Sequence, residues 1–152
     1  MANPLIVASR HDLPLRPSPI ESSWIKEGAP DARSAEIARS ADGTASTLVW
    51  ECTPGRFDWF YDLDESIHIV SGSIVVSADG MEPTRFGPGD VLFFAKGAHA
   101  HWIVEEKVRK VAFCHQVQPR AVGLALRVVS KLKRTLFPSR QPSTGGLLGA
   151  SA

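Results

Sequence analysis

Residues 52–102 read CTPGRFDWFYDLDESIHIVSGSIVVSADGMEPTRFGPGDVLFFAKGAHAHW, and this stretch decides the fold. Short apolar runs alternate with polar residues at period two. They are cut by Pro54-Gly55, Ser71-Gly72, Asp79-Gly80, Gly87-Pro88-Gly89-Asp90 and the turn Ala95 to Ala98. A strand points successive side chains to opposite faces, so this spacing predicts short antiparallel strands closed into a small all-β barrel or sandwich. Phe57, Trp59 and Tyr61 fall on one face of the first strand, and Asp58, Phe60 and Asp62 on the other. If Ser71-Gly72 is a two-residue hairpin loop, Ile69 pairs with Ile74 and Ile67 with Val76. One apolar face then also carries Glu65, and His68 points the other way. Val91 to Phe94 reads as a buried strand. Ala100 to Val104 and Val108 to Gln116 read as a last hairpin tipped by Glu105 to Lys107.

Upstream, TLVWEC (Thr47 to Cys52) is a further strand by its β-branched and aromatic content. DARSAEIARSA (Asp31 to Ala41) fits either a helical turn or an edge strand, and Asp42-Gly43 marks a turn. Prolines 4, 14, 17, 19 and 30 exclude long regular structure before it, so residues 1–30 read as an extended arm that Ile20, Trp24 and Ile25 could dock. Downstream of Pro119 the period changes. Val122, Ala125, Leu126, Val129, Leu132 and Leu136 recur at helical spacing, with Arg120, Arg127, Lys131 and Arg134 opposite, until Pro138. The domain organisation expected is an arm over 1–30, a barrel over 31–118, a basic amphipathic helix over 119–138 and a disordered tail over 139–152.

At 152 residues the chain has room for one core. All 16 acidic residues lie at or before Glu106, while six of the 17 Lys and Arg lie from Arg120 to Arg140. With an acidic body and no basic-aromatic patch, nucleic acid is not an expected partner. The basic helix, residues 120–137, would suit peripheral contact with an anionic membrane surface, or packing on the barrel or on a second subunit. Cys52 and Cys114 sit in apolar contexts outside any Cys-x-x-Cys spacing and read as reduced core thiols, which points to the cytoplasm. Near Met1 there is no stretch long enough for a signal sequence, and no run approaches the ~20 apolar residues of a membrane-spanning helix.

Read together, Val49-Trp50-Glu51-Cys52-Thr53-Pro54-Gly55, Phe57-x-Trp59-x-Tyr61, Asp64-Glu65, Gly72, Gly87-Pro88-Gly89-Asp90, Gly97, Trp102 and Val108-Arg109-Lys110-Val111 resemble the cupins. Among these, the chain is similar to the small single-domain group related to the cupin half of (S)-ureidoglycine aminohydrolase. The resemblance covers roughly residues 20–117. It implies an antiparallel jelly-roll β-barrel, often dimeric, with a pocket at one mouth that usually holds a divalent metal such as Mn, Fe, Ni or Zn. Counting the first cupin motif from Gly55 puts Tyr61 and Leu63 where its two histidines belong, while Glu65, seven positions before Gly72, falls where its glutamate belongs. Counting the second from Gly89 puts Ala95 in the proline slot and Ala100 in the histidine slot. Three of the four ligand positions therefore carry no ligand.

A metal needs imidazole nitrogens and carboxylate oxygens converging to about 2.0–2.3 Å. Glu65 with His99 and His101 is the candidate metal set, although alternation sets both histidines opposite Ala100 and Trp102 unless a bulge reverses the strand. His68 and His115 are lone strand histidines. Asp58, Asp62 and Asp64 read as a solvated loop face. The candidate ligand-binding set is Trp59, Tyr61, Glu65 and Trp102: aromatics to grip an organic molecule and a carboxylate to fix a polar group on it. An internal ion pair from Glu65 to Arg56, Arg109 or Lys110 is the structural alternative. No phosphate-cradling glycine loop and no nucleophile elbow are present. Three functions follow: a small-molecule-binding cupin without the usual metal centre, a metal-dependent hydrolase of a ureido or amino compound, or a scaffold acting through its basic helix.

Overall fold

The computed structural model describes residues 12–117. The helix expected at 119–138, the tail at 139–152 and His11 lie outside the described residues. Within them the strands are β1 (Arg16–Pro17), β2 (Ile25–Glu27), β3 (Ala32–Arg39), β4 (Ala45–Cys52), β5 (Gly55–Phe60), β6 (Asp64–Ser71), β7 (Ile74–Ala78), β8 (Met81–Phe86), β9 (Val91–Phe94), β10 (His99–Val104) and β11 (Val108–His115). They form two antiparallel sheets of order β1-β3-β4-β11-β6-β9 and β2-β5-β10-β7-β8. This is the two-sheet arrangement of a cupin-type barrel. No helix among the described residues is long and apolar enough to cross a membrane.

The proline-rich segment enters regular structure only in short pieces: β1 pairs with β3, a 3-10 turn covers Ser22–Trp24, and β2 pairs with β5. Asp31 to Arg39, open between helix and strand in the sequence, is extended from Ala32 and pairs with β4. The hairpin between them closes on Asp42, whose carboxylate accepts hydrogen bonds from Ser40 Oγ, Thr44 N and Thr44 Oγ1, while Gly43 takes φ 74°.

Two expected hairpins do not form. β6 and β7 lie in different sheets, β6 between β11 and β9, and β7 between β10 and β8. β10 and β11 separate in the same way, β10 lying between β5 and β7 and β11 between β4 and β6. Both connections cross between the sheets, and they meet. Gly72 has φ 75°, and a Cβ built there would lie 2.2 Å from the Lys107 carbonyl oxygen. Only glycine permits that backbone approach. The pairings inferred for Ile67 to Val76 and Ile69 to Ile74 are therefore absent. The facing is unaffected, since all four side chains are completely buried between the sheets. β7 and β8, by contrast, do form a hairpin across Asp79-Gly80, with Ala78 opposite Met81. β9 is not a buried strand: it is the edge of its sheet, with Leu92 and Phe94 inward and Val91 and Phe93 about two-thirds exposed.

Candidate functional site

Alternation along β5 and into Tyr61 sends Phe57, Trp59 and Tyr61 to the interior. There they meet Trp50 from β4, Phe94 from β9 and Trp102 from β10. Tyr61 and Phe94 stack at 4.3 Å between centroids, and Trp102 Nε1 donates to the Tyr61 hydroxyl at 3.2 Å. Glu65 of β6 enters this aromatic interior and is 7% exposed. Its partner is Lys110 of β11, 5% exposed, whose Nζ donates to Glu65 Oε1 at 2.7 Å. The same ammonium lies 4.9 Å from the Trp50 ring centroid and 5.0 Å from that of Trp102. Removing two charges from water is costly, and here the attraction is supplemented by two indole faces turned to the cation. Of the partners considered for Glu65, Arg56 pairs instead with Glu27 and Arg109 with Glu51.

These residues do not fit the metal that the fold family implies. The ligand slots hold Tyr61, Leu63, Glu65 and Ala100, and the single carboxylate is engaged by Lys110. Burial, reinforced by the charge on Glu65, pushes the Tyr61 phenol far above its ordinary range, so it offers no anionic oxygen.

His99 and His101 do not join Glu65. The β5–β10 register is continuous from His99 to Val104, without a bulge, so Ala100 and Trp102 point inward and both histidines point outward. The wall of the barrel separates them from Glu65. On the outer face they meet Asp58 instead. His101 lies directly opposite it, with Nδ1 2.6 Å from Asp58 Oδ1, and His99 Nε2 is 3.6 Å from Asp58 Oδ2. Lys26 Nζ of β2 is 3.3 Å from Asp58 Oδ2. Asp58, expected on a solvated face, has a side chain only 12% exposed. Burial pushes its pKa up, but hydrogen bonds from His101 and Lys26 outweigh that and hold it below the ordinary carboxylate value. Asp62 is exposed, and Asp64 accepts a hydrogen bond from the Lys96 amide. His68 and His115 are exposed strand residues.

The expected ligand residues are divided between two environments. Trp59 and Tyr61 line an open cleft of about 340 Å³ with Trp24, Phe60 and Asp62. Glu65 and Trp102 lie in the packed interior. A second cleft of about 360 Å³ opens between the edge strands β8 and β9. Its walls include Val76, Met81, Phe86, Leu92, Phe94 and Ala100. Ala100 lines it as the histidine slot of the cupin resemblance implies, whereas Phe94 is a lining residue that the sequence does not single out. A larger cleft, about 580 Å³ and bounded by Thr47, Ser66, Phe93 and Phe113 among others, touches none of the expected ligand residues.

The family model of the EutQ-like cupin domain matches residues 39–112. No curated protein matches the chain. Among solved structures, the chain is similar to a protein of unknown function of the DUF861 family from Pseudomonas syringae pv. tomato. The two are 26% identical over 68% of this chain and 45% of that one, with a TM-score of 0.63. The chain thus spans less than half the length of the Pseudomonas protein. It is similar in fold to the EutQ protein of Clostridium difficile (17% identity, 57% of this chain, 69% of that one, TM-score 0.51). It is also similar in fold to the polyketide cyclase RemF from Streptomyces resistomycificus (16% identity, 76% and 82%, TM-score 0.54). These likenesses reach the superfamily and stop short of the finer similarity to ureidoglycine aminohydrolase.

Proposed function

We propose, for a chain that belongs to the cupin superfamily, that it binds a small, largely apolar organic molecule and that its barrel interior works without a metal. The observation that carries this reading is the Glu65–Lys110 pair. The only carboxylate in a cupin ligand position is neutralised by the chain's own ammonium, which leaves the interior no free donor set to attract a cation. What remains for recognition is shape and apolar surface, in the cleft walled by Leu92, Phe94 and Ala100, where a relative with the usual metal site would present a histidine at position 100. Phe94 passes contact to Tyr61 through their stacked rings. Trp59 and Tyr61 would meet a ligand from the neighbouring cleft, with Glu65 and Trp102 setting the polarity behind them.

Two measurements on the full, untagged chain test this. The neutral probe N-phenyl-1-naphthylamine should gain fluorescence on binding, and Met81→Glu, a change at the exposed rim, should weaken that binding at least about tenfold. Metal content measured by mass spectrometry of the purified protein should be the same in wild type and Glu65→Gln. A stoichiometric metal lost in Glu65→Gln would overturn the metal-free interior, and probe binding indifferent to Met81→Glu would overturn the cleft.

A further inference from the structure

We infer that the outer face of β5 and β10 holds a binding site for a borderline divalent cation, Zn²⁺ above all, with Asp58, His99 and His101 as its protein ligands. The ladder fixes their placement. His101 sits opposite Asp58 in an unbroken antiparallel register, and His99 is two residues away on the same face. The three donors are thus carried by neighbouring strands rather than by a loop, and bringing them to one ion requires no backbone movement. One potential donor atom from each side chain lies within 4.8 Å of the others. Donors around a single Zn²⁺ stand up to about 4 Å apart, so small side-chain rotations close the set.

The rings are also held. His99 stacks on Phe60 at 4.2 Å between centroids and 9° between planes, and it meets His101 edge-on at 4.7 Å. Two imidazoles and one carboxylate favour Zn²⁺, Ni²⁺ or Cu²⁺ over Mg²⁺ or Ca²⁺, which prefer all-oxygen shells. His99 and His101 have side chains 39% and 52% exposed, so the solvent side of the cluster stays open. Three protein ligands with one position left to water is the pattern of a reactive zinc rather than a structural one. Lys26 is the competitor for Asp58. Its side chain is 56% exposed, and an ion pair so placed yields easily to a divalent ion.

The test uses the full-length untagged chain, stripped with chelator and titrated with Co²⁺ as a visible probe and then with Zn²⁺. The expected result is one Co²⁺ per chain with the absorption of a low-coordinate site, displaced stoichiometrically by Zn²⁺. His99→Ala, His101→Ala and Asp58→Asn should each weaken binding at least about tenfold. Lys26→Met should leave it unchanged or tighter. His68→Ala combined with His115→Ala, and Glu65→Gln with Lys110→Met, should bind as wild type does. Circular dichroism checks that each variant is folded, and should Asp58→Asn fail that check, the two exposed histidine variants decide. Absence of saturable binding would overturn the site, as would binding that survives His99→Ala with His101→Ala or disappears with His68 and His115. The Glu65→Gln and Lys110→Met control separates a failure here from a failure of the metal-free interior.

Discussion

Lys110 is the residue on which the interior turns. Replacing it by Met leaves the Glu65 carboxylate buried and unpaired, and should cost about 3–5 kcal/mol in denaturant unfolding. The double variant Glu65→Leu with Lys110→Met removes both charges together. It should unfold at or above the wild-type midpoint, because well-packed apolar replacements of a buried pair are commonly neutral or stabilising. Equal losses in the single and double variants would sink the idea that the charge, and not the volume, is what Lys110 supplies. Much of this was legible. Glu65 stands out as a carboxylate in an apolar face, and Lys110 lies between Val108 and Ala112 at the inward parity of its strand. That parity already separates Lys110 from Arg109, whereas the choice over Arg56 depends on β11 lying beside β6, and composition carries no trace of that. Asp58 is hard to place for a related reason: its carboxylate is covered by Lys26 of β2 and by His99 and His101 of β10, which lie 32 to 43 positions away in sequence.

At the scale of elements, alternation reveals which way a side chain faces and not what its strand pairs with. Ile67, Ile69, Ile74 and Val76 were assigned to one buried face on the basis of a hairpin that does not exist, yet all four are buried because both sheets turn their inner faces to the same core. A loop too short to look like anything but a hairpin is here a crossing, and Gly72 is what allows it. Gly72→Ala would force a Cβ into the Lys107 carbonyl and should destabilise the protein by about 3 kcal/mol or more. Gly80→Ala is the matched control. Its φ of 77° is nearly the same, but no atom lies within 4 Å of the added methyl, so only the backbone penalty of about 1 kcal/mol should appear. Similar losses at the two glycines in urea titrations would mean that the packed crossing contributes nothing beyond its dihedral angle.

Across the whole molecule, every ladder except the short hairpins joins strands distant in sequence: β11 lies against β4 and β6, and β10 against β5 and β7. Loops of that length must close before their contacts form, so refolding followed by tryptophan fluorescence should take on the order of milliseconds to seconds. Trp50, Trp59 and Trp102 report on the one core that both sheets share, so their unfolding transition should coincide with that of far-ultraviolet circular dichroism. Refolding within microseconds, or two separated transitions, would contradict a single core closed by distant pairings. The division of charge was legible without coordinates: all 16 acidic residues lie within residues 12–117, against ten of the 17 Lys and Arg. The Lys110 ammonium, seated between two indoles, also bears on how such barrels diverge. On the metal-free interior proposed above, installing imidazoles at positions 61, 63 and 100 would set an incoming ion against the Lys110 ammonium, so a metal-binding variant of this interior would have to lose its lysine as it acquires its ligands. Exchange of one cation for another, rather than the filling of a vacancy, is the route between the two kinds of barrel.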